Sequence, residues 1–226
     1  MTLLGDIQIS RCNSQVIWNN WVPSSVNILA GRLLHKRLPT KVNLEKRGIP
    51  LLTTTCSFCN RADENEDHLF RDRVFTNRIL KEILVWWGLD ASFVHNNHSI
   101  LDWADILFLP GEKRKAFNGV IFSFLWLIWS LRNRKIFDNV HRGKEELIFS
   151  HLQALSFFWI KQRSRLPSFG LKWALWCTSP NESHDKKANK RSSPSDQSQL
   201  KINTNEMHQI NSNEVLFMDG HENKND

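Results

Sequence analysis

Tyrosine is missing from this 226-residue chain, cysteine occurs only four times, and no convincing run alternates apolar with polar residues as a half-buried strand would. The first absence leaves the aromatic content to ten Trp and fourteen Phe, an imbalance for which we have no physical account. The cysteines, Cys12, Cys56, Cys59 and Cys177, are irregularly spaced and no signal pattern stands at the amino terminus. That excludes a disulfide framework and points to a reducing, intracellular compartment, nucleus or cytoplasm. Enzyme signatures are lacking as well: no adjacent aspartates to hold two metal ions, no Gly-rich phosphate loop, no serine elbow and no two-histidine protease motif. The expectation is a protein that is not an enzyme on its own and takes no small-molecule substrate.

What is present is positive charge, unevenly placed. Residues 1–178 hold 24 Lys and Arg against 15 Asp and Glu, whereas residues 179–226 hold 6 against 8. The first part is therefore basic enough to meet a polyanion. The second, rich in Ser, Asn, Lys, Asp and Gln, has too few large apolar residues to offset the entropy of ordering it, and reads as a disordered tail.

Between these limits the apolar residues recur at helical spacing. Pro23 opens a helix that runs to Leu38, before Pro39. Thr40 caps a short second helix closed by Gly48. Residues 66–87 are amphipathic, with Phe75, Ile79, Ile83 and Trp86 on one stripe. Ile100–Leu109 is a short helix halted by Pro110. Ala116–Leu131 is apolar nearly all round, yet it is shorter than the roughly 20 residues of a span and carries Asn118 and Gly119, so a buried central helix is expected and no membrane span. Glu145–Lys161 forms the last amphipathic stretch. The fold class is all-α: a small helical domain with a zinc-knuckle-like loop and a disordered C-terminal tail. Its parts are an N-terminal segment (1–16), the main domain (17–140), a helical extension (141–178) and the tail (179–226).

The loop is "CSFCNRADENEDHLFRDR". Zinc takes four ligands in a tetrahedron, and two thiols separated by two residues fit a tight turn. Cys56 and Cys59 meet that requirement, and His68 follows nine residues later at the mouth of a helix. If residues 68–72 are helical, Asp72 shares a face with His68 and offers an oxygen as fourth ligand, with water as the alternative. Arg73 cannot coordinate, because a guanidinium keeps its proton. The other histidines read as a polar loop (His95, His98) or as packing and surface residues (His35, His151).

The segments "WNNWVPSSVNILAGRLLHKRLPTKVNLEKRGIP", "CSFCNRADENEDHLF", "WWGL" and "FLWLIWSLRNRKIFDN" together resemble the zinc-binding domain that follows the polymerase in plant non-LTR, LINE-type retrotransposon reverse transcriptases. The resemblance covers residues 17–140 and implies a Cys, Cys, His, Cys site for Zn. The family's fourth cysteine falls at Arg73, and a bulky aromatic falls at Gly31, where glycine inside a helix costs about 1 kcal/mol relative to Ala. The implied role is RNA engagement beside a polymerase, and any polymerase label would be inherited from the parent element. For contact with RNA or single-stranded DNA the candidates are Arg32, Lys36, Arg37, Lys41, Lys46 and Arg47, with a second group of Arg132, Arg134 and Lys135. The alternative is a protein interaction module or a fragment without selected function.

Overall fold

Pro23, at φ −57° and ψ 153°, opens the first helix of the computed structural model, which describes residues 18–96, 98–137 and 147–177. Helix α1 (Ser24–Leu34) stops four residues short of Leu38. Lys36 takes the left-handed conformation at φ 52°, and the amides of Lys36 and Arg37 turn back to the carbonyls of Leu33 and Arg32. This is a Schellman ending with lysine where glycine is usual, so composition gave no sign of it. Helix α2 (Lys41–Lys46) begins as expected, with Thr40 Oγ1 accepting from the amide of Asn43, and Gly48 follows it at φ 79°.

The stretch expected as one helix over 66–87 is two. A π-helical turn, His68–Asp72, precedes α3 (Val74–Trp86), and Arg73 between them is extended at ψ 132°. Leu69 and Phe70 are buried and fix the turn. After two 3-10 turns, Ala91–His95 and Ile100–Asp102, comes the short α4 (Trp103–Ile106), then the long α5 (Gly111–Phe137), α6 (Ile148–Ser164) and α7 (Phe169–Cys177). No strand occurs among the described residues, only an isolated antiparallel bridge between Thr55 and Asp63.

Helix α5 is the centre of the molecule, packing against α1, α4 and α6. Residues 116 to 125 are buried without interruption, which is why the run is apolar on every side. Gly119 permits the closest approach: a Cβ there would stand 3.0 Å from Ile160 Cδ1 on α6 and 3.5 Å from the side-chain nitrogen of Asn19. No helix among the described residues is long and apolar enough to cross a membrane. Helix α7, which periodicity did not reveal, docks through Trp173, its ring 5.6 Å from Trp86 and 5.9 Å from Trp87 in edge-on contacts. Only nine residues long and still exposing Leu171 and Leu175, it has no polar face to read. The chain divides into two units, Met1–His184 and Asp185–Asp226, and every described residue lies in the first. The N-terminal segment and the tail expected to be disordered lie outside the described residues.

One ion pair ties the cysteine loop to this core. Arg132, 4 % exposed on α5, meets the fully buried Glu64 with Nη2 at 2.7 Å and Nε at 3.1 Å from the same carboxylate oxygen, and its Nη2 also reaches the Pro39 carbonyl at 3.1 Å. That oxygen further accepts the Lys41 amide at 3.2 Å, so the loop, the start of α2 and α5 meet at one carboxylate. Removing one partner of such a buried pair strands the other charge. Arg132→Met should therefore cost about 3–5 kcal/mol in chemical denaturation, and the double change Glu64→Leu with Arg132→Met should recover most of it. A single variant within about 1 kcal/mol of the parent would contradict this role.

Candidate metal centre

The backbone around Cys56 explains why the thiols converge. The Thr55–Asp63 bridge is flanked by two more ladder bonds, Cys56 N to Ala62 O at 2.8 Å and Glu64 N to Thr54 O at 2.9 Å. Between these strand-like arms the chain reverses: Asn60 N donates to Cys56 O at 2.9 Å, and Asn60 sits in the left-handed region at φ 50°, which asparagine tolerates better than most side chains. Thr54 Oγ1 donates to Asp63 at 2.6 Å, and Lys41 Nζ reaches across from α2 to the Thr55 carbonyl at 2.7 Å. His68 comes from the other side, its amide held by Asn65 Oδ1 at 2.8 Å as the π-turn begins.

The result is a cluster. The Sγ atoms of Cys56 and Cys59 and a ring nitrogen of His68 all lie within 4.8 Å of one another, and Cys59 Sγ is 3.2 Å from His68 Nε2. Zn–S bonds of about 2.3 Å and Zn–N bonds of about 2.0–2.1 Å in a tetrahedron put ligand atoms about 3.5–3.8 Å apart, so small side-chain shifts would bring all three onto one ion. Two sets of backbone amides support the sulfurs: those of Cys59 and Phe58 face Cys56, and those of Arg61 and Ala62 face Cys59.

The protonation of the three groups follows from where they sit. Burial pushes the Cys56 thiol above its ordinary value against the pull of the two amides and of Arg73. Burial acts upward on Cys59 too, but the amides of Arg61 and Ala62, the Cys56 side chain and Arg73 together bring it below its ordinary value. Burial first, then Arg73, lowers His68, which keeps its ring neutral and able to donate a lone pair at neutral pH.

Asp72, expected as the fourth ligand, is not brought into the cluster. Its side chain is 54 % exposed and accepts from Arg71 Nε at 3.2 Å, because residues 68–72 wind as a π-turn and not as the α-turn that would set positions 68 and 72 on one face. Arg73 stands by the cluster instead. It is 5 % exposed, with Cζ 4.4 Å above the ring of Phe58, which lies between the two cysteines, and 5.3 Å from that of Phe75. The cation thus leans on aromatic faces, an attraction worth about 2 kcal/mol when desolvated. The donor set present fits zinc through two sulfurs and one nitrogen, with a fixed positive charge near the fourth position.

Residues 3–79 match the family model for zinc-binding in reverse transcriptase. No curated protein and no solved structure matches the chain. The matched stretch of this reverse-transcriptase zinc-binding family includes α1, α2, the cysteine loop and the first turns of α3, so the cluster of Cys56, Cys59 and His68 lies inside it. Residues 3–79 are thus similar to a zinc-binding module, and the side chains clustered within them suit that ion.

The expected nucleic-acid contacts separate by burial. Arg32, Lys36, Arg37, Lys46, Arg47 and Arg134 are exposed, Lys41 and Lys135 half-buried. Arg132 is buried and committed to Glu64, so it is not presented to a phosphate, and the ammonium of Lys41 is spent on the cysteine loop. Two functional residues escaped the sequence reading. Glu64 is one of four acids in a short run and nothing marks it as the buried one, and Phe58 looked like a spacer. If the charge at position 73 is what weakens the site, Arg73→Cys should bind Zn at least about tenfold more tightly than the parent chain in competition with a chromophoric chelator, and equal affinities would contradict it.

Proposed function

We propose that the chain is a non-enzymatic, retrotransposon-derived module that engages RNA through the basic surface of α1 and α2, with the cysteine loop as its structural brace. One observation carries this reading: the exposed cations at the end of α1 and along α2 are drawn onto a common surface, since Arg47 Nη2 donates to the Arg37 carbonyl at 3.0 Å. Arg32, Lys36, Arg37, Lys46 and Arg47 then stand close together with no acid pairing them among the described ion pairs. Such a group neutralises phosphates and releases their counterions without reading bases. Zinc, when bound, supplies a cross-link and no reaction chemistry. The chain's own residues do the rest: Lys41 and Glu64 fasten the loop to α2, whose end presents Lys46 and Arg47 of the basic surface.

A second reading, docking to a partner protein, draws on one feature. Ile49, Leu51 and Leu52 follow α2 directly as exposed apolar side chains, Leu52 wholly so.

The two separate by salt dependence. For single-stranded RNA the logarithm of affinity falls with the logarithm of salt at about 0.7 per phosphate neutralised. The triple change Arg32→Gln, Arg37→Gln and Arg47→Gln should flatten that slope by about 2 in anisotropy titrations. An unaltered slope, or binding indifferent to salt, would sink the RNA reading and leave the apolar loop as the better candidate.

A further inference from the structure

After its charged first turns, helix α5 is buried from residue 116 to residue 125, with Asn118 and Ser123 as the polar side chains of that run. Asn118 is 4 % exposed, with Phe117, Val120 and Ile121 buried around it, and no hydrogen bond engages its side chain among the described residues. The carboxamide is not one of the side-chain groups buried without a partner, so its polar atoms open onto the cavity beside it. Asn118 lines a cavity of about 460 Å³ at the start of α5, a volume within the usual range of small-molecule sites, about 300–1,000 Å³.

The other walls of that cavity have complementary chemistry. Trp18 offers an indole that is 58 % exposed. Gly111, Arg114 and Lys115 belong to the first turns of a 27-residue helix, whose opening amides lack acceptors within the helix and favour an anion. Glu112, the acid of that first turn, is drawn off by Lys172 at 2.7 Å. Asp105 holds Arg114 at 3.1 Å, and Lys115 Nζ rests 4.8 Å over the Trp21 ring, so both cations are positioned and the lining keeps a net positive charge.

We propose that this cavity binds one nucleoside monophosphate unit, with the base on Trp18 and its polar edge at Asn118, and the phosphate at Arg114, Lys115 and the α5 start. A flat aromatic surface, a carboxamide opening into the cavity and an anion-attracting helix end match the three parts of such a unit. The proposal needs none of the cations on α1 and α2, so it stands or falls separately from the basic surface. The unit is either a free nucleotide or a residue of a strand.

Calorimetry on the full chain with adenosine monophosphate, adenosine and inorganic phosphate tests it. The expected result is one site that prefers the nucleotide over either fragment. Trp18→Ala and Arg114→Gln, both at exposed positions, should each weaken it about fivefold or more, as the loss of a stacking contact worth about 1 kcal/mol or more requires. Asn118→Leu should do the same, with circular dichroism confirming its fold. The Arg32→Gln, Arg37→Gln, Arg47→Gln variant should bind the nucleotide as the parent does. Displacement of the nucleotide by a short single-stranded RNA would identify a strand as the source, and binding that RNA leaves unchanged would identify the free nucleotide. A nucleotide that binds no better than inorganic phosphate, or equally well to Trp18→Ala, would overturn the proposal.

Discussion

The position of the whole cysteine loop depends on a carboxylate taken out of water. Glu64 accepts from Arg132 twice through a single oxygen, and that oxygen also takes the amide that begins α2. Its second oxygen is buried without a hydrogen-bond partner. By the usual reckoning such a pair returns little net stability, because desolvation consumes most of the attraction. What it provides is registry. An apolar contact would tolerate sliding, whereas this carboxylate is satisfied only when residue 64, residue 41 and the part of α5 around residue 132 arrive together. That arrangement sets the loop against the helices, and His68, four residues on, inherits its place.

Arg73 stands beside the three clustered donors without separating them. A cysteine there would give a second sulfur-rich half to the tetrahedron; the guanidinium gives a charge that all three remaining donors feel. Its effect is mixed. It favours the thiolate forms that bind metal and keeps the imidazole neutral, both of which help coordination, yet it repels the incoming cation itself. The two faces of Phe58 and Phe75 shelter it, so the side chain occupies the rim of the site and not its centre. The charge at the rim leaves the three donor atoms clustered.

How much of this was legible follows from which physical signals act locally. Pro23, the Thr40 cap and Gly48 act within a few residues, and they mark α1 and α2 in the sequence as in the structure. The central helix was readable because Asn118 and Gly119 break a run too short to span a bilayer, and both have structural meaning: one lines a cavity, the other lets Ile160 approach. The donors Cys56, Cys59 and His68 were legible from spacing, since a tight turn and a helix mouth need no distant partner to converge. Asp72 was not, because α and π winding differ by one hydrogen-bond register and the sequence "HLFRD" carries no mark of which will form. Arg132 was misjudged as a phosphate contact for a related reason. Its partner is 68 residues away, and only the tertiary fold says that a basic residue at the polar exit of α5 turns inward.

The loop's fastenings bear on how a module with three strong donors persists. In small zinc domains the ion supplies the folding free energy, and its loss unfolds the chain. Here the arms are joined by backbone hydrogen bonds, the turn is braced by Lys41 Nζ, and Glu64 is anchored in the helical core, all without any contribution from metal. Leu69 and Phe70 add apolar anchorage on the far side. A scaffold held in this way positions the two thiols and the imidazole through fastenings of its own. The basic surface of α1 and α2 is then carried by the helices themselves, and its geometry does not wait on the metal.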